Sequence, residues 1–129
     1  MNTRTQDGRQ RIDAERARQV AVEGWTPEHD DQHLPGVMAR AARCYDWHAQ
    51  TTIETGRVCQ SPPPTWPWEK EWWKPSADPV RDWEKAGALY LAEMERANRS
   101  GADGDAFEYS IAAKLIAEAI DDHLSKATA

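Results

Sequence analysis

The feature that most constrains this chain is a cluster of tryptophans in a proline-rich stretch. The 129 residues include seven Trp, three Tyr and one Phe, and four of the Trp lie between positions 66 and 73. Pro62, Pro63 and Pro64 precede the cluster and favour a stiff, extended backbone. Disordered segments are poor in aromatic residues. We therefore expect the segment WPWEKEWWKP, residues 66–75, to be an irregular but ordered loop that packs against the rest of the protein.

Amphipathic patterns on both sides of this loop predict a mainly α-helical fold of about four helices with two long ordered loops. Asp78 is a favourable N-cap and Pro79 suits the first helical position, while Gly24 can end the first helix in a left-handed conformation. Residues 1–8 are expected to be disordered and residues 9–129 to form a single small domain. The expected helices cover residues 9–23, about 35–48, 79–98 and about 105–125.

The core-facing residues follow from steps of three and four residues along each predicted helix. In chain order they are Ile12, Ala17, Val20 and Ala21; Val37, Met38, Ala41, Ala42 and Tyr45; Trp83, Ala86, Gly87, Tyr90, Leu91 and Met94; and Phe107, Ile111, Leu115, Ala119 and Ile120. Residues 49–65, with a triple proline, cannot form one regular element, and the sequence leaves open whether they are ordered. Loops this long are uncommon in a small domain unless they are functional or disordered.

Charge and the lack of targeting motifs limit the possible functions. The formal net charge is -6, with 22 acidic and 16 basic residues, so we expect no binding to nucleic acid, which needs clustered Lys and Arg. No apolar run approaches the roughly 20 residues that span a bilayer, and the polar N-terminus lacks the apolar stretch of a signal peptide. We therefore expect a cytoplasmic protein with no membrane association, no cofactor and reduced Cys44 and Cys59. No phosphate-binding glycine loop, nucleophile elbow or CxxC pair occurs, which favours binding over catalysis.

The Trp-rich segment allows two interpretations. In one, its indoles cap the core of a small domain, since most aromatic side chains near helix ends are buried. In the other, they form a platform on which a purine, another planar ring or a cation stacks. Lys74 and Arg81 follow closely and would neutralise a phosphate, and such a mixed lining is typical of small-ligand pockets. The indoles predicted to bind ligand are Trp25, Trp66, Trp68, Trp72 and Trp73.

The segment GWTPEHDDQH, residues 24–33, contains two histidines four positions apart. If its proline starts a helical turn, His29 and His33 share one face, as a metal pair requires. The segment also fits a polar loop whose aspartates cap the next helix, or a loop in which His29, Asp30 and Asp31 form hydrogen bonds to a bound ligand. Spacing selects no third metal ligand, for which the candidates are Cys44, His48, Cys59 or a carboxylate.

Two stretches together resemble a known group of proteins. EGWTPEHDDQH with the following MARAARCY, and WPWEKEWWKP followed by RDWEKAGALYLAEMER, resemble an uncharacterised family of small proteins encoded by bacteriophages and prophages of proteobacteria, over roughly residues 16–99. A further resemblance, to the RyR domain, rests on three pairs in the same order: Gly24-Trp25, Asp30-Asp31 and Arg81-Asp82. Thr26-Pro27 stands where that module has tyrosine-glycine, and the Trp cluster is foreign to it. This second resemblance implies a mainly helical fold that recognises small, nucleotide-derived ligands.

The leading hypothesis from sequence is a non-catalytic phage-type protein that captures a nucleotide-derived molecule between residues 25–33 and 66–74. Its purpose would be to sequester a host defence signal in the host cell cytoplasm. Proteins of this kind commonly pair their pockets across subunits, so we expect a homo-oligomer. Two alternatives remain open. One is a protein-interaction module that inhibits a host complex, with the Trp side chains as interface anchors. The other is a small metal-dependent hydrolase that uses His29 and His33.

Overall fold

The computed structural model describes residues 6–127, which contain five α-helices and no strand. Four of these helices have seven residues or more, and the prediction of a mainly α-helical fold is confirmed. Residues 1–5, to which most of the predicted disorder applies, lie outside the described residues. Within the described chain, no helix combines the length and apolarity needed to cross a bilayer. In chain order the helices are α1 (Gly8–Ala21), α2 (Pro27–Asp30), α3 (Val37–Thr55), α4 (Pro79–Arg99) and α5 (Asp103–Ala127), with a 3-10 turn over Lys70–Trp72.

Local capping interactions set the starts of α1 and α4. Asp78 caps α4 as predicted, and its carboxylate accepts from the Val80 backbone N–H at 2.9 Å. α1 begins at Gly8, one residue before the predicted start, because Asp7 and Gln10 form a reciprocal capping box. Each start is therefore determined by a few consecutive residues, which is why the sequence predicts it closely.

α3 is longer than the sequence predicts. It continues past His48 to Thr55, and it ends where Gly56 adopts a left-handed conformation with φ 70°. The Gly56 N–H donates to the Thr52 carbonyl at 2.8 Å and closes the last turn. Burial of Thr52 offsets the low helix propensity of the β-branched residues 51–53. The irregular segment that carries the tryptophans is therefore residues 56–78, and we call it the Trp loop.

α4 is the central helix, and it packs against the four other helices. Gly87 allows α1 to approach closely, because a Cβ at this position would lie 2.4 Å from Ile12 Cδ1. The two helices are in direct contact at this point, with Ile12 fully buried. The largest apolar members of the core are Ile12, Met38, Tyr45, Trp73, Val80, Trp83, Leu89, Tyr90, Leu91, Ile116 and Ile120.

The inward face of α1 is mostly polar, which corrects the predicted apolar stripe. Ile12 is buried as predicted, but Ala17 and Ala21 are exposed and Val20 is only half-buried. A polar side chain can be buried without large cost when it is paired. Neighbouring elements pair with Glu15 and Arg16, and Gln19 donates to Glu15 within α1. The polar residues buried on α1 are Glu15, Arg16 and Gln19.

α5 also presents a different face to the core from the one predicted. Ile120 is buried as expected and Ala119 is partly buried, whereas Phe107 and Leu115 are 66 % and 58 % exposed, and Ile111 is exposed as well. Small side chains occupy much of the interface with α4, so the helix is rotated away from the predicted stripe. The buried residues of α5 are Ala106, Ala113, Ile116, Ala117 and Ile120.

Candidate functional site

The Trp loop is fixed to the helices by a buried imidazole–carboxylate pair. His48 on α3 and Asp82 on α4 are fully buried, and His48 Nδ1 lies 2.6 Å from Asp82 Oδ2. His48 Nε2 accepts from the Cys59 backbone N–H at 2.9 Å, so the imidazole proton resides on Nδ1. Asp82 Oδ1 accepts from the Ser76 N–H at 2.9 Å. The pair therefore holds an early and a late part of the loop at once.

Trp73 belongs to the core beneath the loop. Its side chain is 4 % exposed, its Nε1–H donates to the Cys59 carbonyl at 2.9 Å, and its ring stacks on Tyr45 at a centroid distance of 4.9 Å. The Tyr45 hydroxyl accepts from the Lys74 N–H at 3.1 Å, and burial raises the pKa of Tyr45 to about 12. The prediction that Trp73 binds ligand is corrected: this indole anchors the loop.

The other indoles predicted to bind ligand surround a cleft of about 690 Å³. Trp66 and Trp68 stand edge to face, with centroids 5.4 Å apart and planes at 87°, and Trp25 tilts against Trp68 at 6.4 Å. Trp72 extends from the 3-10 turn and is 56 % exposed. Trp66 and Trp68 are only partly buried, so part of each indole remains accessible from the cleft. The cleft is lined by Trp25, His29, Asp30, His33, Met38, Tyr45, Trp66, Pro67, Trp68, Glu69, Lys70, Trp72 and Leu89.

One edge of this cleft is polar. His33 packs against Trp68 at 5.3 Å and against His29 at 5.2 Å between ring centroids. Burial, and then the neighbouring His29, lower the pKa of His33 below its usual 6.5, so His33 is uncharged at neutral pH. The buried His29 Nδ1 has no hydrogen-bond partner among the described residues, and Asp30 Oδ1 lies 3.5 Å away. This edge therefore contains an unpaired hydrogen-bonding atom on a residue that lines the cleft.

The two aspartates predicted to contact ligand have different surroundings. Asp30 is buried, lines the cleft and pairs with Arg16 of α1 at 2.8 Å. Arg16 also donates to the Trp25 carbonyl at 3.1 Å, so one guanidinium group fixes both ends of this turn. Asp31 pairs with Arg99 at 2.7 Å and does not line the cleft. The prediction for Asp31 is therefore corrected, because its carboxylate is held on the surface by an ion pair with α4.

A smaller hollow of about 260 Å³ adjoins the cleft and is rich in cations. It contains both residues predicted to bind phosphate, Lys74 and Arg81. Four cationic side chains face two carboxylates, so the local charge is positive although the formal net charge of the protein is -6. The other charged residues of the hollow are Arg18, Lys85, Glu15 and Glu23. The walls that it shares with the cleft are formed by Trp25, Tyr45, Trp72 and Leu89.

Glu15 fixes the two guanidinium groups of the hollow. Its buried carboxylate accepts from Arg18 at 2.8 Å and from Arg81 at 2.7 Å. Burial raises the pKa of Glu15, but the hydrogen bonds from Arg18 and Arg81 outweigh burial and bring the pKa below the usual 4.5. Arg81 also donates to Glu84 at 3.0 Å. Both guanidinium groups are held in place, and their charge is partly neutralised.

The two lysines of the hollow are less neutralised than the arginines. Within residues 6–127, neither Lys74 nor Lys85 forms a salt bridge with a carboxylate. Lys85 Nζ donates to the Lys74 carbonyl at 2.6 Å and lies 5.4 Å from the centroid of the Tyr45 ring. Burial lowers the pKa of Lys85, and the nearby Arg81 lowers it further. An anion in the hollow would stabilise the charged form of Lys85.

The two histidines have no third metal ligand in the part of the chain that the structure describes. The rings of His29 and His33 meet at an interplanar angle of 82°, and among residues 6–127 no group of three His, Cys, Asp or Glu is arranged to hold a metal ion. Of the candidate third ligands, His48 uses both ring nitrogens in the loop anchor, and Cys44 Sγ contacts Thr65 Oγ1 at 3.4 Å. The metal-dependent hydrolase hypothesis gains no support from this geometry.

Sequence reasoning missed the contribution of α1 and α4 to the hollow. Arg18 and Gln19 of α1 and Lys85 of α4 line it, although none was predicted to bind ligand. A signal was present on α1, where Glu15, Arg18 and Gln19 follow at steps of three and four residues and share one helix face. Lys85 follows Arg81 at the same spacing. Spacing alone does not show whether such a polar row faces solvent or a cavity, because that depends on how the helices pack.

Comparison of the chain with protein-family models, curated proteins and solved structures finds no match. The resemblances to a phage protein family and to the RyR domain therefore stay predictions made from short motifs. The function has to be argued from the geometry of the cleft and the hollow.

Proposed function

We propose that this protein binds a small, planar, negatively charged molecule derived from a nucleotide, and that it does so without converting it. The observation that carries the proposal is the junction of two cavities, an indole-lined cleft of about 690 Å³ and a cationic hollow of about 260 Å³. Small-ligand pockets typically have volumes of about 300–1,000 Å³, with a mostly apolar lining and a few polar groups. The cleft matches both properties.

The cleft suits a nucleobase. Trp66 and Trp68 are only partly buried, and stacking of a base on an aromatic side chain contributes about 1–3 kcal/mol per base. The polar edge with His29 Nδ1 and the uncharged His33 would form hydrogen bonds to the edge of the base. Tyr45 forms part of the floor and is held rigidly by its stack on Trp73. A rigid wall lowers the entropy that binding must overcome.

The hollow suits a phosphate group. Arg81 and Arg18 are positioned by Glu15, while Lys74 and Lys85 keep their charge free of carboxylate partners within the described residues. Charge-assisted hydrogen bonds from such groups to phosphate oxygens are roughly twice as strong as neutral ones. Because the two cavities share four lining residues, we propose that one ligand occupies both.

Binding without turnover is favoured by the state of the buried carboxylate in the cleft lining. Asp30 is paired with Arg16 at 2.8 Å, so this carboxylate supports the turn and is not free to act as a general base. The other carboxylate of the lining, Glu69, is exposed, and we therefore favour capture of a ligand over its conversion. The purpose that we propose is sequestration of a host defence signal.

We also propose that the protein is a homo-oligomer that uses the apolar stripe of α5. Phe107, Ile111 and Leu115 follow at four-residue spacing and are exposed. A second copy, antiparallel about a two-fold axis at Ile111, would bring Phe107 of each subunit beside Leu115 of the other, which makes the surface self-complementary. Sedimentation velocity should give a dimer for the wild type and a monomer for Ile111→Lys. A wild-type monomer at every concentration would contradict this part of the proposal.

A protein-interaction module that inhibits a host complex is the second candidate. It is favoured by Trp72, which is largely exposed, and by the apolar stripe on α5. In that case the indoles would be interface anchors, for which a convex surface is expected. Trp66 and Trp68 instead line a concave cleft, so we rank ligand capture first.

Calorimetric titration with nucleosides, nucleotides and adenine-nucleotide derivatives tests the proposal. We expect at least one of them to bind with a Kd tighter than about 0.1 mM. Trp68→Leu should abolish this binding, whereas Trp47→Leu should not, because Trp47 is a partly exposed indole outside the cleft lining. Failure of every compound to bind at this level, or formation of a product detected by chromatography, would contradict capture without turnover.

A further inference from the structure

Gln19 of α1 indicates which group a ligand presents in the hollow. Its side chain is 1 % exposed and lines the hollow, yet its Oε1 accepts no hydrogen bond within the described residues. Its Nε2 donates to Glu15 Oε2 at 3.2 Å. This bond fixes the orientation of the amide, because the reverse orientation would set two oxygen atoms against each other. The atom without a partner is therefore an acceptor.

The partner that Gln19 lacks has to be a hydrogen-bond donor. A buried acceptor without a donor is unfavourable, so a ligand that supplies the donor binds more tightly. An ionised carboxylate or phosphate presents acceptor oxygens, and such a group would contact Lys74 and Lys85 without satisfying Gln19 Oε1. A hydroxyl group donates. The hollow therefore matches a ligand that carries a hydroxyl and an anion next to each other.

The shared walls determine the order of the ligand's parts. Trp25, Tyr45, Trp72 and Leu89 line both cavities, so a molecule that occupies both would contact these side chains. Its planar part would lie in the cleft among the indoles, and its polar part would lie in the hollow with the cations. A base, a sugar with free hydroxyls and a phosphate are joined in this order in a nucleotide.

We infer that the hollow is a sugar-phosphate subsite, in which Gln19 Oε1, shielded in the free protein, turns toward the hollow and accepts from a sugar hydroxyl while Lys74 and Lys85 contact the phosphate. Arg81, held by Glu15, adds positive charge to the same subsite. The inference rests on the proposed function and makes it more specific. The ligand class is a nucleoside phosphate with a free sugar hydroxyl, rather than a free base or an unphosphorylated nucleoside.

The phosphate contact is tested with matched pairs of probes. Each of the four common ribonucleosides and its 5′-monophosphate is titrated calorimetrically at low salt. We expect the monophosphate of the best-binding base to bind about tenfold tighter than its nucleoside, since contacts to charged groups are the stronger ones. The advantage should disappear in the Lys74→Met/Lys85→Met double variant. Lys114→Met, an exposed lysine on α5, is the control and should retain it.

The hydroxyl contact is tested with the 2′,3′-dideoxynucleoside 5′-monophosphate of the same base. In the wild type we expect it to bind about threefold to tenfold more weakly than the ribonucleotide, the range for one neutral hydrogen bond. In Gln19→Met, which keeps the length of the side chain but removes the acceptor, the two nucleotides should bind equally. Circular dichroism establishes that each variant is folded.

The outcomes separate this inference from the proposed function. If a nucleoside binds as tightly as its monophosphate in the wild type, the subsite is wrong while ligand capture survives. Equal binding of the ribonucleotide and the dideoxynucleotide to the wild type overturns the role of Gln19 without any variant, and so does discrimination that persists in Gln19→Met. If no nucleoside and no monophosphate binds, both the inference and the proposed function fail.

Discussion

Trp72 and Trp73 are adjacent in sequence, yet they belong to two different regions of the molecule. Trp73 is 4 % exposed, stacks on Tyr45 and donates to the Cys59 carbonyl. Trp72 is 56 % exposed and lines both the cleft and the hollow. One residue type in one short segment therefore serves two purposes. Trp73 lies in a buried layer that anchors the loop, and Trp72 lies on the surface that we propose contacts ligand.

This comparison shows how an irregular loop can form a rigid binding surface. The anchor layer, defined as Trp73, Tyr45, His48 and Asp82, joins the Trp loop to α3 and α4 through hydrogen bonds between buried groups. The indoles above it line the cleft, and Trp66 is itself held by a hydrogen bond from its Nε1–H to the Glu69 carbonyl. Mutations in the two layers should therefore have opposite profiles, with loss of stability in one and loss of binding in the other.

The largest effect on stability is expected for Trp73→Ala. Removing a fully buried Trp leaves a cavity and an unpaired Cys59 carbonyl, and large-to-Ala changes of aromatic residues in a core cost about 3–5 kcal/mol. Urea denaturation followed by circular dichroism measures the free energy of unfolding. Trp72→Ala is the matched neighbour. Equal loss of stability in both variants would break the distinction between the layers.

Asp82→Asn is expected to have the next largest effect. The carboxylate accepts from His48 Nδ1–H and from the Ser76 N–H. An Asn side chain has only one acceptor oxygen, so its NH2 group would face one of these two donors. A buried donor left without an acceptor costs about 1–3 kcal/mol. Asp122→Asn, an exposed carboxylate on α5, is the control for the loss of charge alone. Should both variants unfold at the same urea concentration, the anchor would not depend on this pair.

A pH-dependent effect of about 1 kcal/mol is expected at Glu15, beneath the hollow. Because hydrogen bonds from Arg18 and Arg81 outweigh burial and lower its pKa in the folded state, ionised Glu15 stabilises the fold above its usual pKa of 4.5. This contribution is lost as the pH falls through the lowered value. Wild type and Glu15→Gln, compared by denaturation, should differ at pH 7 and converge in acid. A difference that grows in acid would contradict the assigned ion pairs.

The smallest effect on stability, within about 0.5 kcal/mol, is expected for Trp72→Ala, because its ring is largely exposed. Its effect on ligand binding should be the larger one, about 1–3 kcal/mol if a base stacks on the indole. Denaturation measures the stability of Trp72→Ala, and calorimetric titration with the best-binding nucleoside monophosphate measures its affinity. Together the two measurements show whether Trp72 and Trp73 have different roles. Unchanged affinity together with reduced stability would assign Trp72 to the anchor layer.

Features encoded in a few consecutive residues could be predicted from the sequence. Asp78 and Pro79 predict the start of α4, and prolines with indoles predict an ordered, irregular loop. The predicted set also includes all four indoles that line the cleft. It did not distinguish Trp72 from Trp73, because which indole is buried depends on contacts with α3, such as the stack on Tyr45.

Features that depend on packing between distant elements were not predictable. The faces of α1 and α5 differ from the predicted ones because hydrophobicity alone does not decide burial. Glu15 is buried since Arg81, far away in sequence, pairs with it. Phe107 remains exposed since the small residues of α5, such as Ala113, pack against the core instead. The sequence identified Lys74 and Arg81 of the hollow but not Arg18, Gln19 and Lys85, because its lining is assembled from distant parts of the chain.

The central claim is that some of the tryptophans contact ligand whereas the others do not. The indole N–H signals test this claim most directly. The seven tryptophans give up to seven Nε1–H resonances in an ¹H–¹⁵N spectrum, and each can be assigned by substitution. On titration with the nucleoside 5′-monophosphates, shifts are expected at the four indoles that line the cleft and not at the three others. Absence of any shift, or shifts confined to Trp47, Trp73 and Trp83, would contradict the account. The four indoles expected to respond are Trp25, Trp66, Trp68 and Trp72.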